Sequence, residues 1–284
     1  MKTRLGSTVA RFACIPALMA IGLLTEAPGS AQSRRGDPEV VFLDVKLSAP
    51  AVALLREVER IYGKPVVGEK TPLSGDTWAS SRIDDNGTPR VRVAPPGEGD
   101  ESTLVHELLH LKLRAQGAPV FYWLSDGGEP ALDALLAVQA QLYDAIQHRA
   151  FAPEMRRLGF EPSGRLRESL RKMIATRNLD GSPTNFGKAL VMIRTFIEFG
   201  AGVEMKSIRD WYAAEGWTDA LALGNRAADA LATIHSEPRE HVSQFLAVLR
   251  LLDVNVTLDR YDTVMLGQHR QVRAVVIHRL KAGR

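Results

Sequence analysis

TLVHELLHLK, residues 103–112, holds two of the chain's seven histidines, His106 and His110, with Glu107 between them. The surroundings predict a helix over 101–116. Glu101 and Ser102 stand where such a helix would begin, and Gly117 and Pro119 where it would stop. On a helix, residues four apart share a face and lie about 6 Å apart along the axis, so both imidazoles can reach one ion. Glu107 is turned by about 100° from His106, which puts its carboxylate beside that ion rather than on it. A carboxylate so placed can take a proton from a water that zinc makes acidic. The competing reading is a buried helix, described by Leu104, Val105, Leu108, Leu109, Leu111 and Leu113, whose histidines are satisfied by hydrogen bonds.

The chain on either side predicts an α+β protein. Upstream, an apolar run at 40–47 and a helical pattern at 51–62 are followed by an extended stretch at 65–69. Then come two alternating runs, 77–83 and 90–94, around Asp85-Asn86-Gly87, the sequence signal of a β-hairpin. The candidate helix thus follows directly on a hairpin. Downstream, apolar periodicity predicts helices at 131–149, 162–177, 185–199, 216–234 and 237–251. Residues 255–266 and 272–280 read as strand or helix. The expected organisation is a mixed α/β lobe over 32–118 ending in the 101–116 helix, then a mainly helical lobe over 119–284 that completes the site. Trp211, Trp217 and the apolar helix from Ala220 to Ala232 read as core.

His106-Glu107-Leu108-Leu109-His110 resembles the HExxH motif of the zinc metallopeptidases, the zincins. Its uncharged flanks, Thr103, Leu104, Val105 and Leu111, fit that resemblance, and Lys112 departs from it. The resemblance implies a Zn²⁺ cofactor held by His106 and His110, Glu107 as the general base, and a peptide or protein substrate. It also implies a strand beside the helix that aligns an extended peptide by backbone hydrogen bonds, for which Arg90–Ala94 is the candidate. The alternative is a zincin-like binding protein that does not cut its partner, or a structural metal site.

A catalytic zinc needs a third protein ligand. The metzincin extension is absent, because Leu113 and Gln116 occupy its Gly and His positions. One candidate is Glu129, with Asp133 four residues on to hold a ligand imidazole from behind, a spacing that resembles the gluzincins. The other is His148, with Asp144 one turn before it on the same helical face. An oxyanion donor is also required, and Tyr122, Tyr143, Tyr212, His235, Tyr261 and His269 all have suitable chemistry.

Residues 1–31 carry the pattern of an export signal: Lys2, Arg4 and Arg11, an apolar run from Phe12 to Leu24, and Gly29-Ser30-Ala31 before a cut at Gln32. The expected destination is the periplasm or the exterior, with no membrane span left after cleavage. Cys14, the one cysteine, would leave with the leader, so thiol chemistry is not available to the mature chain. The formal charge is +3; the leader's three basic residues and Glu26 account for +2 of it, leaving +1. Near-neutrality gives no general reason to expect nucleic acid or an anionic membrane as a partner. The chain has neither a Gly-rich phosphate loop nor a serine nucleophile elbow. Five Lys or Arg after Thr263 read as a solvated face.

Overall fold

The computed structural model describes residues 39–73, 78–94, 100–126, 129–179, 184–231 and 238–279. Residues 1–31, read above as an export signal, lie outside them. The described residues belong to one compact unit that begins at Glu39. Among them no helix is long and apolar enough to cross a membrane.

The apolar run at 40–47 folds back on itself. Strands β1 (Val41–Phe42) and β2 (Val45–Lys46) pair through a two-residue turn in which Leu43 and Asp44 both take positive φ, the twist that tight hairpins require. Helix α1 (Ala49–Tyr62) follows, with Pro50 in its first turn and Gly63 closing it in the left-handed conformation. Strands β3 (Val67–Lys70), β4 (Ala79–Ile83) and β5 (Pro89–Val93) form a sheet in the order β3-β5-β4. The hairpin read from Asp85-Asn86-Gly87 is β4–β5, closed by Asp84 N–H donating to the Thr88 carbonyl at 3.0 Å. One expectation is corrected here. β5 pairs with a strand on each side, parallel to β3 and antiparallel to β4, so Arg90–Ala94 has no free edge to offer; the edges of this sheet are β3 and β4.

Helix α2 (Glu101–Ala115) carries the HELLH stretch. Its N-cap is Asp100, one residue before the predicted start, whose carboxylate accepts from the Thr103 N–H at 2.7 Å. The leucines around α2 are buried on all sides because the helix lies among the first sheet, α1 and the next helix. Lys112, the charged departure among them, is held between Glu57 of α1 at 3.0 Å and Glu154 at 2.7 Å. Burial would lower its pKa, and the two carboxylates outweigh that and raise it.

The second half of the chain is mainly helical, as expected, and also contains a three-stranded sheet, which resolves 255–266 and 272–280 as strand rather than helix. Strand β6 (Val120–Ser125) runs parallel to β8 (His269–His278), and β7 (Val256–Leu266) pairs antiparallel with β8. Helix α3 runs unbroken from Glu129 to Arg157, through Pro153, well past the predicted end at 149. Helices α4 (Gly164–Thr176), α5 (Asn185–Phe199), α6 (Val203–Ala214), α7 (Thr218–Ala230) and α8 (Pro238–Leu251) complete the order. The predicted helix over 216–234 begins at Thr218, and α6 before it was not anticipated.

Two hydrophobic clusters result. One joins α1, α2 and the first sheet through Leu54, Leu55, Val58, Val91, Leu104 and Leu108. The other joins α3, α5–α8 and the second sheet through Leu142, Ile146, Ile193, Ile197, Tyr212 and Phe245; Trp211 belongs to it and Trp217 packs against it. Helix α3 serves both. Residues Leu135 to Ile146 pack in the second cluster, whereas Phe151 and Met155 pack in the first. His148 lies where the helix passes from one to the other.

Candidate metal centre

Helix periodicity places His106 and His110 on one face of α2, and the packing of α3 across that face brings His148 to them. The possible ligand nitrogens of the three lie within 4.8 Å of one another. Their ring centroids are 4.8, 4.5 and 5.1 Å apart, close to an equilateral triangle. The Nε2 atoms of His106 and His110 are 3.2 Å apart. Ligand nitrogens on a tetrahedral zinc with Zn–N bonds of about 2.0–2.1 Å stand about 3.3 Å apart. Two ligand positions therefore have the needed separation already, and a movement of at most about 1.5 Å by the third nitrogen would close the set. Three histidines that could hold a metal ion are thus assembled in the fold.

Each of two rings is oriented from behind. The Gln147 amide oxygen is 2.9 Å from His110 Nδ1. A Glu198 carboxylate oxygen is 2.7 Å from His148 Nδ1. Both oxygens accept, so both Nδ1 atoms carry the proton and the Nε2 lone pairs are left for a metal. Glu198 itself accepts a second hydrogen bond from the Ser163 hydroxyl. Ser163 holds φ +59 without being glycine, a local strain accepted where its side chain meets Glu198. Phe151, one turn beyond His148, sets its ring edge-on or tilted against all three imidazoles at 5.0–5.6 Å.

Burial determines the protonation of this group. It drives His106 and His110 well below the ordinary histidine pKa, with the charge of His148 adding to the effect. Both are therefore neutral, as ligation requires. Burial acts on His148 in the same direction, but the charge and hydrogen bond of Glu198 outweigh it and raise the pKa. For Glu198, burial would raise the carboxyl, and the His148 charge and its hydrogen bonds bring it below the usual range.

Glu107 stands on the adjacent face of α2, 7 % exposed. Burial pushes its carboxyl up to about 7, against the opposing pull of the Ser81 hydroxyl and Arg114. Arg114, two turns along α2, donates to the Ser81 carbonyl at 2.7 Å and so ties β4 to the helix. In the β4–β5 ladder, Ala94 N–H donates to the Trp78 carbonyl. The alternation of an antiparallel pair then turns the backbone groups of Ala79 and Ser81 away from β5. Arg114 occupies the Ser81 carbonyl, and Ala79 lines the cavity.

That cavity, about 610 Å³, has His106, Glu107 and His148 in its wall, with Phe151, Met155, Phe160 and Leu166 supplying apolar surface. Its size suits a small molecule or a few residues of peptide.

The remaining predicted residues fall elsewhere. The side chains of Glu129 and Asp133 lie outside the described residues. Their backbone opens α3, and His148 lies nineteen positions along the helix from Glu129, roughly 28 Å of rise. Asp144 is half-buried one turn before His148, its carboxyl raised by desolvation; it acts on His148 through charge, while the hydrogen bond goes to Glu198. Among the oxyanion candidates, Tyr143, Tyr212 and Tyr261 donate to the carbonyls of Pro119, Lys188 and Arg239, and His269 packs on Tyr62. Tyr122 is exposed on β6, and His235 lies outside the described residues. None of the described five lines the cavity. Gln147, Ser163 and Glu198 escaped the sequence reading, although Gln147 stands beside His148.

The chain matches no protein-family model, and no curated protein or solved structure matches it.

Proposed function

We propose that this chain is a zinc-dependent hydrolase that cuts peptide bonds, exported by the leader in its first 31 residues. The arrival of His148 beside His106 and His110, with Glu107 in the same cavity wall, carries this reading. Two neutral imidazoles and a third, His148, that would give up a proton on binding suit zinc. Among the described residues no fourth His, Cys, Asp or Glu joins the group, which leaves a coordination position free, as catalysis needs and a structural zinc does not.

Zinc bound there would supply Lewis acidity at that free position. His106 and His110 would hold it through Nε2, with His148 as the third ligand. Gln147 and Glu198 would keep the rings of His110 and His148 turned toward it. Glu107 takes the proton of the attacking water and passes it to the departing amine nitrogen. Its carboxyl, near 7 in the metal-free protein, falls when a cation binds nearby, so the base is ionised when it is needed. Ala79 on the edge of β4 offers backbone N–H and C=O to an extended substrate.

The test is metal analysis of residues 32–284 by mass spectrometry, beside His110→Ala and Glu107→Gln. The reading expects about one zinc per chain, lost in His110→Ala and kept in Glu107→Gln, with peptide hydrolysis abolished in both. A chain that takes up no zinc, or a Glu107→Gln variant that still turns over, overturns it. Bound zinc in a wild-type protein that cleaves no peptide would assign the cavity a binding role instead.

A further inference from the structure

The cavity contains one positive charge that the reaction described above does not use. Among the described residues, Arg194, on α5, is the only Lys or Arg that lines it. It precedes Glu198 by four positions, so both project from the same face of α5, about 6 Å apart along the axis. The opposite face of that helix, with Ala189, Met192 and Phe196, is buried in the second core.

Two of the carboxylates around the cavity have hydrogen-bond partners other than Arg194. Glu198 gives its two oxygens to His148 and Ser163. Glu161 of the cavity rim pairs with Arg167 at 2.9 Å. Half-buried Asp144 feels the charge of Arg194, and no hydrogen bond joins the two. The Arg194 Nε is itself buried with no hydrogen-bond partner. A guanidinium presents five donors in a planar fork that matches a carboxylate in two parallel bonds. Leaving such a group unpaired at a cavity wall is costly, and an anionic ligand removes that cost.

We infer that Arg194 is a specificity-determining residue that binds a carboxylate of the substrate, with the apolar wall of Phe160 and Leu166 taking a neighbouring side chain. This rests on the hydrolase reading. The same cavity wall carries His106 and Glu107, so one ligand can meet both Arg194 and the metal centre. The substrate class is a short peptide or N-acyl amino acid bearing a carboxylate close to the scissile bond. That carboxylate is either the free chain end or an acidic side chain.

Three hydroxamates separate these possibilities by binding alone, without turnover. All have the same leucine-containing backbone and a metal-binding hydroxamate. One ends in a free carboxylate, one in an amide, and one in an amide after a glutamate residue. Calorimetry on the zinc-loaded full-length mature chain should show at least one of the two acids binding about tenfold or more tightly than the neutral amide. The better acid identifies the source of the carboxylate. The preference should vanish in Arg194→Met and persist in part in Arg194→Lys, with zinc content unchanged in both as the check on folding. Equal binding of all three probes to the wild type overturns this inference alone. Equal loss of affinity for all three in Arg194→Met also overturns it, since that marks a structural role. Failure of every probe to bind removes the metal reading and the inference with it.

Discussion

Glu198 on α5 lies 2.7 Å from His148 Nδ1 on α3, a contact across fifty positions of sequence. A carboxylate behind a ligand imidazole fixes the tautomer and strengthens the donor nitrogen on the other side. Glu198→Ala should therefore weaken zinc binding by roughly 10–100-fold, while Glu198→Gln, which can still accept the Nδ1 proton, should lose less. Competition with a chelator of known affinity measures both. Unchanged affinity in the alanine variant would mean that the contact serves folding alone.

Glu107 should cost the metal-free protein stability. Its folded pKa is about 7 against an ordinary 4.5, so between those values the folded chain binds more protons than the unfolded one. Stability then falls as pH rises through that window and stays low above it. Glutamine never ionises. In chelator-treated protein, Glu107→Gln should be the more stable form at pH 8, by up to about 3 kcal/mol. The difference should shrink toward zero by about pH 4. Urea unfolding at the two pH values is the measurement, and a gap independent of pH would argue against a buried ionised carboxylate.

Phe151 is 6 % exposed and touches all three imidazoles. Truncation to alanine should destabilise the fold by about 3–5 kcal/mol and lower zinc affinity as the rings lose their common support. Phe151→Leu should keep most of the stability. Thermal unfolding of the two variants, with and without zinc, distinguishes lost packing from lost ligand alignment.

Gly87 and Gly267 mark the place where the β4–β5 and β7–β8 turns meet. Both have positive φ; a Cβ on Gly87 would stand 2.3 Å from the Leu266 carbonyl oxygen, and one on Gly267 2.1 Å from that of Asn86. Backbone cannot yield as a flexible side chain does. Gly87→Ala should cost at least about 1–2 kcal/mol from conformation alone, plus the displacement of one turn. Denaturant unfolding should register this, with the zinc content of the folded fraction unchanged.

How much could be read before the chain was seen folded differs from element to element. The α+β class, the β4–β5 hairpin and helix α2 were legible, since turn chemistry, capping and side-chain period act over a few neighbouring residues. Strand β6 carried a signal that went unused: in Val120–Ser125, Phe121 and Trp123 face inward while Tyr122 and Leu124 face out. So did α6, where Met205, Ile208 and Tyr212 are buried at helical spacing among charged residues. The extension of α3 to Arg157 is different. Phe151 and Met155 lie in the core built by α1 and α2, and that burial supports helix beyond Pro153 where local preference alone does not.

The candidate site divides along the same line. Four-residue spacing on α2 was enough to put His106 and His110 on one face and Glu107 on the next, because the period of a helix is a local property. Between His148 and Glu129 the sequence could not choose. Nor could it find Glu198, Ser163 or Arg194, or show that β4 rather than β5 has a free edge. Those depend on how α3 crosses α2, how α5 lies against α3, and the order in which strands pair. Side-chain packing between distant segments decides each of these, and no short-range pattern in the chain encodes it.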